Sequence, residues 1–262
     1  MPDNDTPTET DTSWMGPQLS FGIDIGGSGM KAAPVDLDAG DLAADRLKIL
    51  TPQPAEPGPM ADVVRQLVEH FEWTGNVGVA FPSIVRNGVA RSAANIDKSW
   101  IDTDIDALFT ESSGCPVHVI NDADAAGLAE VRYGAGKDKS GLVIVLTFGT
   151  GIGSGMFMDG VLVPNAELGH LEIDGHDAES QAAASARDRE DLSWKDWAGR
   201  VEHYLRKVVF LFSPELVIVG GGASRKADKW LPHIDVDTEV VPAALTNEAG
   251  IVGAALIADD AD

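Results

Sequence analysis

The sequence predicts an α/β protein of two lobes with a cleft between them, and three observations carry that prediction. The apolar stretch Val117 to Ile120 runs straight into Asn121-Asp122 and an alanine-rich helix start. It thereby delivers a carboxylate to the carboxyl end of a strand, where open α/β sheets keep their chemistry. Two glycine-rich turns, Asp24-Ile25-Gly26-Gly27-Ser28-Gly29-Met30-Lys31 and Thr147-Phe148-Gly149-Thr150-Gly151-Ile152-Gly153-Ser154-Gly155, each follow an apolar strand. The length of 262 residues suffices for one large α/β domain or two smaller lobes with proper cores.

Taken in order, Leu19 to Asp24 reads as an apolar strand, the glycines turn it, and Met30 to Val35 is its antiparallel return. The turn joins two strands and lacks a Gly-Lys-Ser/Thr ending, so it is a hairpin and no Walker motif. Leu47 to Leu50 supplies a third strand before Thr51-Pro52-Gln53-Pro54 breaks it, and Met60, Val63, Val64, Leu67, Val68 and Phe71 then fall on one helical face. Val77 to Phe81 is a strand, and Ile84 to Ala90 a small hairpin on Asn87-Gly88.

A second copy of this plan is expected to open at Val117, with a helix near Ala123–Tyr133 and a strand at Leu142–Thr147. Ser154 to Met158 then returns from the longer glycine turn, and Asp159-Gly160 turns again into Val161–Val163. Ser193 caps a helix carrying Trp194, Trp197, Val201, Tyr204, Leu205 and Val208, which Ser213-Pro214 stops. Leu216 to Val219 is apolar throughout, as a strand buried on both faces requires, and Gly220-Gly221-Gly222 follows it. The expected organisation is a disordered acidic tail over 1–18, a small lobe over 19–120 and a large lobe over 121–245. A helix over 246–258 returns to the small lobe.

Composition removes several function classes. Acidic residues number 42 against 19 basic, a net charge of −23, which argues against nucleic acid and anionic membranes as partners. No apolar run spans a bilayer, and the first eighteen residues have neither a basic start nor an apolar core of a secretory signal. The single cysteine, Cys115, has no internal disulfide partner, and a cytoplasmic location is expected.

Either glycine turn alone is explained by the positive φ angles of hairpins. The pair, each holding hydroxyl residues, favours backbone N–H groups approaching phosphate oxygens, where a side chain would hold the ligand off. The candidate cradle residues are Gly26, Gly27, Ser28, Gly29 and Lys31 in the first turn. In the second they are Thr147, Gly149, Thr150, Gly151 and Gly153. Asp24 is placed to hold Mg²⁺ through water, or else to stabilise the turn. Asp122 is a candidate base that deprotonates an acceptor hydroxyl, with Asn121 orienting that hydroxyl; the alternative for Asp122 is a helix N-cap. Glu167-Leu168-Gly169-His170, followed by Glu172, Asp174, His176, Asp177 and Glu179, mixes donors and acceptors as recognition of a polyhydroxylated sugar demands. With no cysteine there and no helical histidine pair, zinc is not expected.

In this order the motifs make the chain resemble the ROK family of sugar kinases, within the actin-like ATPase superfamily, from about Leu19 to about Ala258. The resemblance implies the two-lobe ribonuclease H-like sugar kinase fold. It makes Asp24 to Lys31 and Thr147 to Gly155 the two phosphate motifs, and Val219 to Ser224, with Gly221 and Gly222, the nucleotide-side motif. It implies that Asp122 is catalytic, that Asn121, Asn95, Glu167, His170 and Glu179 meet a hexose, and that the protein is a homodimer. Most ROK kinases carry a cysteine-rich zinc loop after Glu-x-Gly-His; this chain has none, so His170 turns toward the sugar. That absence, the lengthened first turn and the phrase Pro214 to Gly222 resemble the polyphosphate glucokinase branch. The donor is then inorganic polyphosphate, with ATP as the second candidate.

A polyanion needs cations, and the scarce ones cluster at Lys31, Arg187 with Arg189, Arg206 with Lys207, and Arg225, Lys226 and Lys229. Ordinary solvated helix positions are the competing explanation, and the better one for Arg206 and Lys207. Two other classes compete with a kinase. A sugar-sensing repressor needs a helix-turn-helix ahead of Leu19, which an acidic stretch of eighteen residues does not supply. A non-catalytic sugar-binding protein is separated from a kinase only by assay, as is a kinase for another hexose.

Overall fold

The computed structural model describes residues 17–94 and 96–260; the predicted tail, but for its last two residues, and Asn95 lie outside them. Strands β1 (Leu19–Gly26) and β2 (Gly29–Asp36) form the first glycine hairpin, extended by β3 (Asp41–Leu42) and β4 (Leu47–Ile49), both on β2. Helix α1 (Pro57–His70) leads to β5 (Val77–Phe81), parallel to β1. A hairpin, β6 (Val85–Arg86) and β7 (Val89–Ala90), follows on Asn87 and Gly88, whose φ angles of 51° and 74° match a primed two-residue turn. Helix α2 (Ile105–Ser113) leads to β8 (Val117–Asn121), parallel to β5, and α3 (Asp122–Arg132) starts without a linker.

The second sheet repeats the plan. β9 (Leu142–Phe148), β10 (Ile152–Met158) and β11 (Val161–Val163) are antiparallel neighbours. A ribbon, β12 (Glu172–Ile173) with β13 (His176–Asp177), precedes helices α4 (Ala178–Ala182), α5 (Ala184–Arg189) and α6 (Trp194–Phe212). β14 (Leu216–Gly220) is parallel to β9; α7 (Ala227–Trp230) precedes β15 (Glu239–Pro242), parallel to β14, and α8 (Ala249–Asp259) ends the described chain. The orders β3-β2-β1-β5-β8 and β11-β10-β9-β14-β15 are equivalent. The second copy therefore opens at Leu142, a correction to the expectation at Val117: β8 completes the first sheet. Its partner lies some forty residues back across α2, a non-local pairing that a local apolar pattern does not encode.

Alternation divides each strand between two cores. Phe21, Ile23 and Ile25 of β1, with Val77, Val79 and Phe81 of β5, face α1 and α2. The opposite positions Gly22 and Gly78 lie under α8, where a Cβ would collide with the carbonyls of Ile251 and Ala254. In the second sheet Ile144, Leu146, Phe148, Val217 and Val219 face α6, while Val143, Val145, Leu216 and Ile218 face the α3 side. α3 and α8 thus lie between the sheets, so close that a Cβ on Gly253 would strike the Ala125 carbonyl. The alanine and glycine content of both helices is what lets backbone meet backbone there.

Most expected elements are present. Ser193 caps α6 by accepting the Asp196 amide, and Ser213 ends it at φ 46°. α8 starts at Ala249, three residues after the expected Thr246, because Leu245 to Glu248 forms a turn in which Thr246 has φ 45°. No helix among the described residues is long and apolar enough to cross a membrane.

Candidate active site

β8 and α3 place the central carboxylate. Asn121 is the cap of α3: its Oδ1 accepts the amides of Ala123 at 2.9 Å and Asp124 at 3.1 Å, and its Nδ2 donates to the Ser83 carbonyl at 3.0 Å. Asp122 is the first helical residue, half-buried, with Oδ1 also accepting the Ala123 amide at 2.9 Å. Burial, with the neighbouring charge of Asp24 next in importance, pushes its carboxyl up to about 7. The cap reading therefore belongs to Asn121, and Asp122 is left as a desolvated carboxyl on the first turn of α3.

The first glycine turn sits beside it. Asp24 and Lys31 are register partners across β1 and β2, and their side chains pair at 2.9 Å. Lys31 is thus paired with Asp24 across the hairpin. Gly27 and Ser28 are exposed at the turn, and the Gly26 carbonyl is held by the Thr51 hydroxyl at 2.5 Å.

Everything else converges on the second turn. Gly149 donates to the Gly151 carbonyl at 3.0 Å, and Ser185 closes the turn with its amide on the Gly149 carbonyl at 3.1 Å and its hydroxyl on the Thr150 carbonyl at 2.6 Å. Gly153 lies against α3, where a Cβ would come within 2.9 Å of the Ala123 Cβ, one residue from Asp122. Gly220 is the register partner of Thr147. Gly221, at φ 74°, lies on Phe148, where a Cβ would sit 2.6 Å from the carbonyl oxygen, and Gly222 is exposed beside it.

The same turn carries the Glu167-to-His170 loop. A Cβ on Gly169 would collide with the Ile152 carbonyl oxygen, so that glycine is what lets the loop lie on the turn. Glu179, from α4, accepts the Ile152 amide at 3.1 Å. Glu167 is half-buried, and burial raises its carboxyl, opposed by His170 and reinforced by Glu179. The exposed His170 ring bonds Asp177 at 2.9 Å, and this partner raises its pKa. His170, Asp177 and Glu179 bring one ligand atom each within 4.8 Å of one another, so the loop offers a mixed nitrogen and oxygen donor set without cysteine.

The expected residues are therefore gathered around the second turn and α3, except Asn95, which lies outside the described residues. The cations divide. Arg187 bonds Asp188 and stacks 4.0 Å over Trp194, Arg189 pairs with Glu190, Arg206 with Glu202, and Arg225 bonds Asn247. Lys207, Lys226 and Lys229 form no salt bridge among the described residues, and the last two lie four and seven residues after Gly222.

Sequence reasoning missed four supporting residues. Asp124 is fully buried, and burial pushes its carboxyl up to about 7, opposed by the Asn165 amide it accepts at 2.7 Å. Ser154, also buried, donates to the Ala166 carbonyl at 2.5 Å and accepts the Leu168 amide at 2.8 Å, fixing both sides of Glu167. Asn165 and Ser185 complete the set. Only Asn165 carries a local signal, the turn dipeptide Pro164-Asn165.

With this geometry in view, the comparisons with known proteins agree. The family model described as ROK family matches residues 20–188. The chain is 54% identical over 237 residues to the polyphosphate glucokinase of Mycobacterium tuberculosis, covering 90% of this chain and 89% of that protein. It superposes with a TM-score of 0.90, at 55% identity, on the inorganic polyphosphate/ATP-glucomannokinase of Arthrobacter sp. strain KM, covering 93% of this chain and 99% of that one. A ROK family glucokinase from Streptomyces griseus, solved with glucose and AMPPNP, superposes with a TM-score of 0.78 at 25% identity, over 93% and 100% of the two chains.

Proposed function

The chain belongs to the ROK family, and from that premise we propose that it transfers a phosphoryl group from inorganic polyphosphate, with ATP as a second donor, to the 6-hydroxyl of glucose. The observation that carries this reading is the attachment of the Glu167-to-His170 loop to the second phosphate turn, through Gly169 and Glu179 on Ile152, one layer from Asp122. Acceptor and donor sites are thereby built on one backbone segment. The names of the relatives support the donor and the sugar.

In this reading Asn121 and Asn95, with Glu167, His170 and Glu179, meet the sugar hydroxyls, and Asp122 lies against the 6-hydroxyl. Asp122 takes the hydroxyl proton as that oxygen bonds to the terminal phosphorus, and the bond from phosphorus to the bridging oxygen breaks. The shortened chain leaves with the bridging electrons, its charge met by the N–H groups of Gly27 and Ser28 in the first turn and of Thr150 and Gly151 in the second, by Lys31, and by the Gly221-Gly222 turn. A transition state that is mostly dissociative asks for positioning and charge neutralisation, which backbone cradles supply.

Phosphoryl transfer of this kind depends on a divalent cation. Asp24 provides the hard oxygen donor that Mg²⁺ takes, and would hold it through water. When bound, Mg²⁺ neutralises charge on the donor oxygens. We further propose the lobe division 19–120 and 121–245, a cytoplasmic location and a homodimer; light scattering reads the last.

Turnover to glucose 6-phosphate with polyphosphate and with ATP, at equal phosphate equivalents, tests the donor order. A faster rate with polyphosphate is expected, and a rate seen only with ATP would make the chain an ATP-dependent hexokinase. Glucose binding without turnover on either donor would make it a non-catalytic sugar-binding protein.

A further inference from the structure

A closed ring of hydrogen bonds runs around Asp122 without including it. Asn121 donates from Nδ2 to the Ser83 carbonyl at 3.0 Å, in the loop after β5. Two residues on, the amide and carbonyl of Val85 are both held by the side chain of Asn165, at 2.8 and 2.9 Å. The Asn165 amide donates to Asp124 Oδ2 at 2.7 Å, and the Asp124 amide returns to Asn121 Oδ1 at 3.1 Å. Asn121, Ser83 and Asp124 are buried, so the two bonds of Asn121 are made out of water, where a lost partner is costly, and the three of Asn165 are partly shielded.

The ring joins elements of different origin. Ser83 and Val85 follow β5 of the first sheet, and the Ser92 hydroxyl and carbonyl brace the same loop against Ser83 and Ile84. Asn165 follows β11 of the second sheet and stands two residues before Glu167, whose flanks Ser154 holds. Asn165 has φ 59°, a left-handed conformation that asparagine tolerates and most side chains do not. Its amide treats Val85 as a strand partner would, one bond in each direction. The ring therefore ties the segment that carries Asp122 to the segment that carries Glu167, across the two sheets.

We propose that Asn165 and Asp124 are positioning residues that hold Glu167 and Asp122 in register on the sugar. This rests on the sugar-kinase reading above, and it concerns the acceptor side, because among the described residues no member of the ring hydrogen-bonds residues 26–29 or 149–153 of the glycine turns. Substituting Asn165→Gly keeps the left-handed φ available and removes the amide. Asp124→Asn keeps an oxygen acceptor for the Asn165 amide, and Asp124→Ala does not. Asp159→Gly is the control: Asp159 also has a left-handed φ, of 50°, and its carboxylate holds the Gly141 amide at 2.8 Å, outside the ring.

The measurements are the glucose dissociation constant by calorimetry, the KM for glucose and for polyphosphate, and Tm. Asn165→Gly and Asp124→Ala are expected to weaken glucose binding and raise its KM about tenfold, with the KM for polyphosphate held within about twofold. Asp124→Asn should restore near-wild-type glucose affinity, and Asp159→Gly should move Tm without moving glucose affinity. Unchanged glucose affinity in Asn165→Gly overturns the proposal, as does an equal loss on both substrates that tracks the fall in Tm. A wild type that binds glucose without transferring phosphoryl contradicts the kinase reading and leaves this comparison intact; one that does not bind glucose overturns both.

Discussion

The side-chain oxygen of Asn121 accepts the backbone amide of Asp124 at 3.1 Å, so Asn121 caps α3 and Asp122 stands one residue inside the helix. The cap is thereby the duty of Asn121 and not of Asp122. Asn121→Ala is expected to cost about 1 kcal/mol of stability, the usual loss for a removed cap. Asp122→Asn leaves the cap in place and should not lower Tm. Equal Tm losses in the two variants, read by thermal denaturation, would contradict that assignment.

The pH dependence has a definite sign. Asp122 carries a pKa pushed up to about 7, first by burial and then by the charge of Asp24. A base works deprotonated, so kcat/KM for glucose should fall as pH drops through about 7. The folded carboxyl also keeps its proton to higher pH than the unfolded one. Its contribution to stability is complete below the ordinary carboxylate value of ~3.9 and is lost as pH rises through about 7. Asp122→Asn removes that loss, so its Tm should exceed the wild type's at about pH 8 and converge with it toward about pH 4. An activity profile flat down to about pH 5 would contradict the shift.

Gly169 is held to its size by packing. Because a Cβ there would meet the Ile152 carbonyl, Gly169→Ala should push the sugar loop off the second phosphate turn, costing roughly 1–3 kcal/mol of stability. Both glucose and donor kinetics should suffer, since both sites share that backbone. Wild-type kinetics for both substrates would show that the loop and turn are not coupled.

Net charge sets a salt dependence. Against −23 overall, a long polyanion has to be held by local cations such as Lys31, Lys226 and Lys229. Its apparent affinity should fall more steeply with ionic strength than that of ATP, which spans fewer charges. Equal slopes for the two donors would argue against a cationic track.

The fold was legible where local chemistry decides it. Apolar runs gave β1, β5, β9 and β14, the Asn87-Gly88 and Asp159-Gly160 pairs gave their turns, and Ser193 and Ser213 bounded α6. Sheet membership was less legible, because β8 and β15 are parallel edge strands whose partners are distant in sequence. α4 and α5 were missed because five and six residues hold too little periodicity to read. In the site, Asp122, Glu167 and the glycines stood out as motifs. The roles of Asn121, Asp124 and Asn165 depend on which backbone groups approach them, which side-chain type alone does not fix.

Asp122 moving the proton in a phosphoryl transfer from polyphosphate to glucose is the step on which the proposed function turns. It is read from the initial rate of glucose 6-phosphate formation from polyphosphate, without ATP, in wild type and Asp122→Asn. Turnover by the wild type and a loss of about 10²–10⁴-fold in the variant, with glucose still bound, are the predicted result. Near-normal turnover by the variant would contradict it.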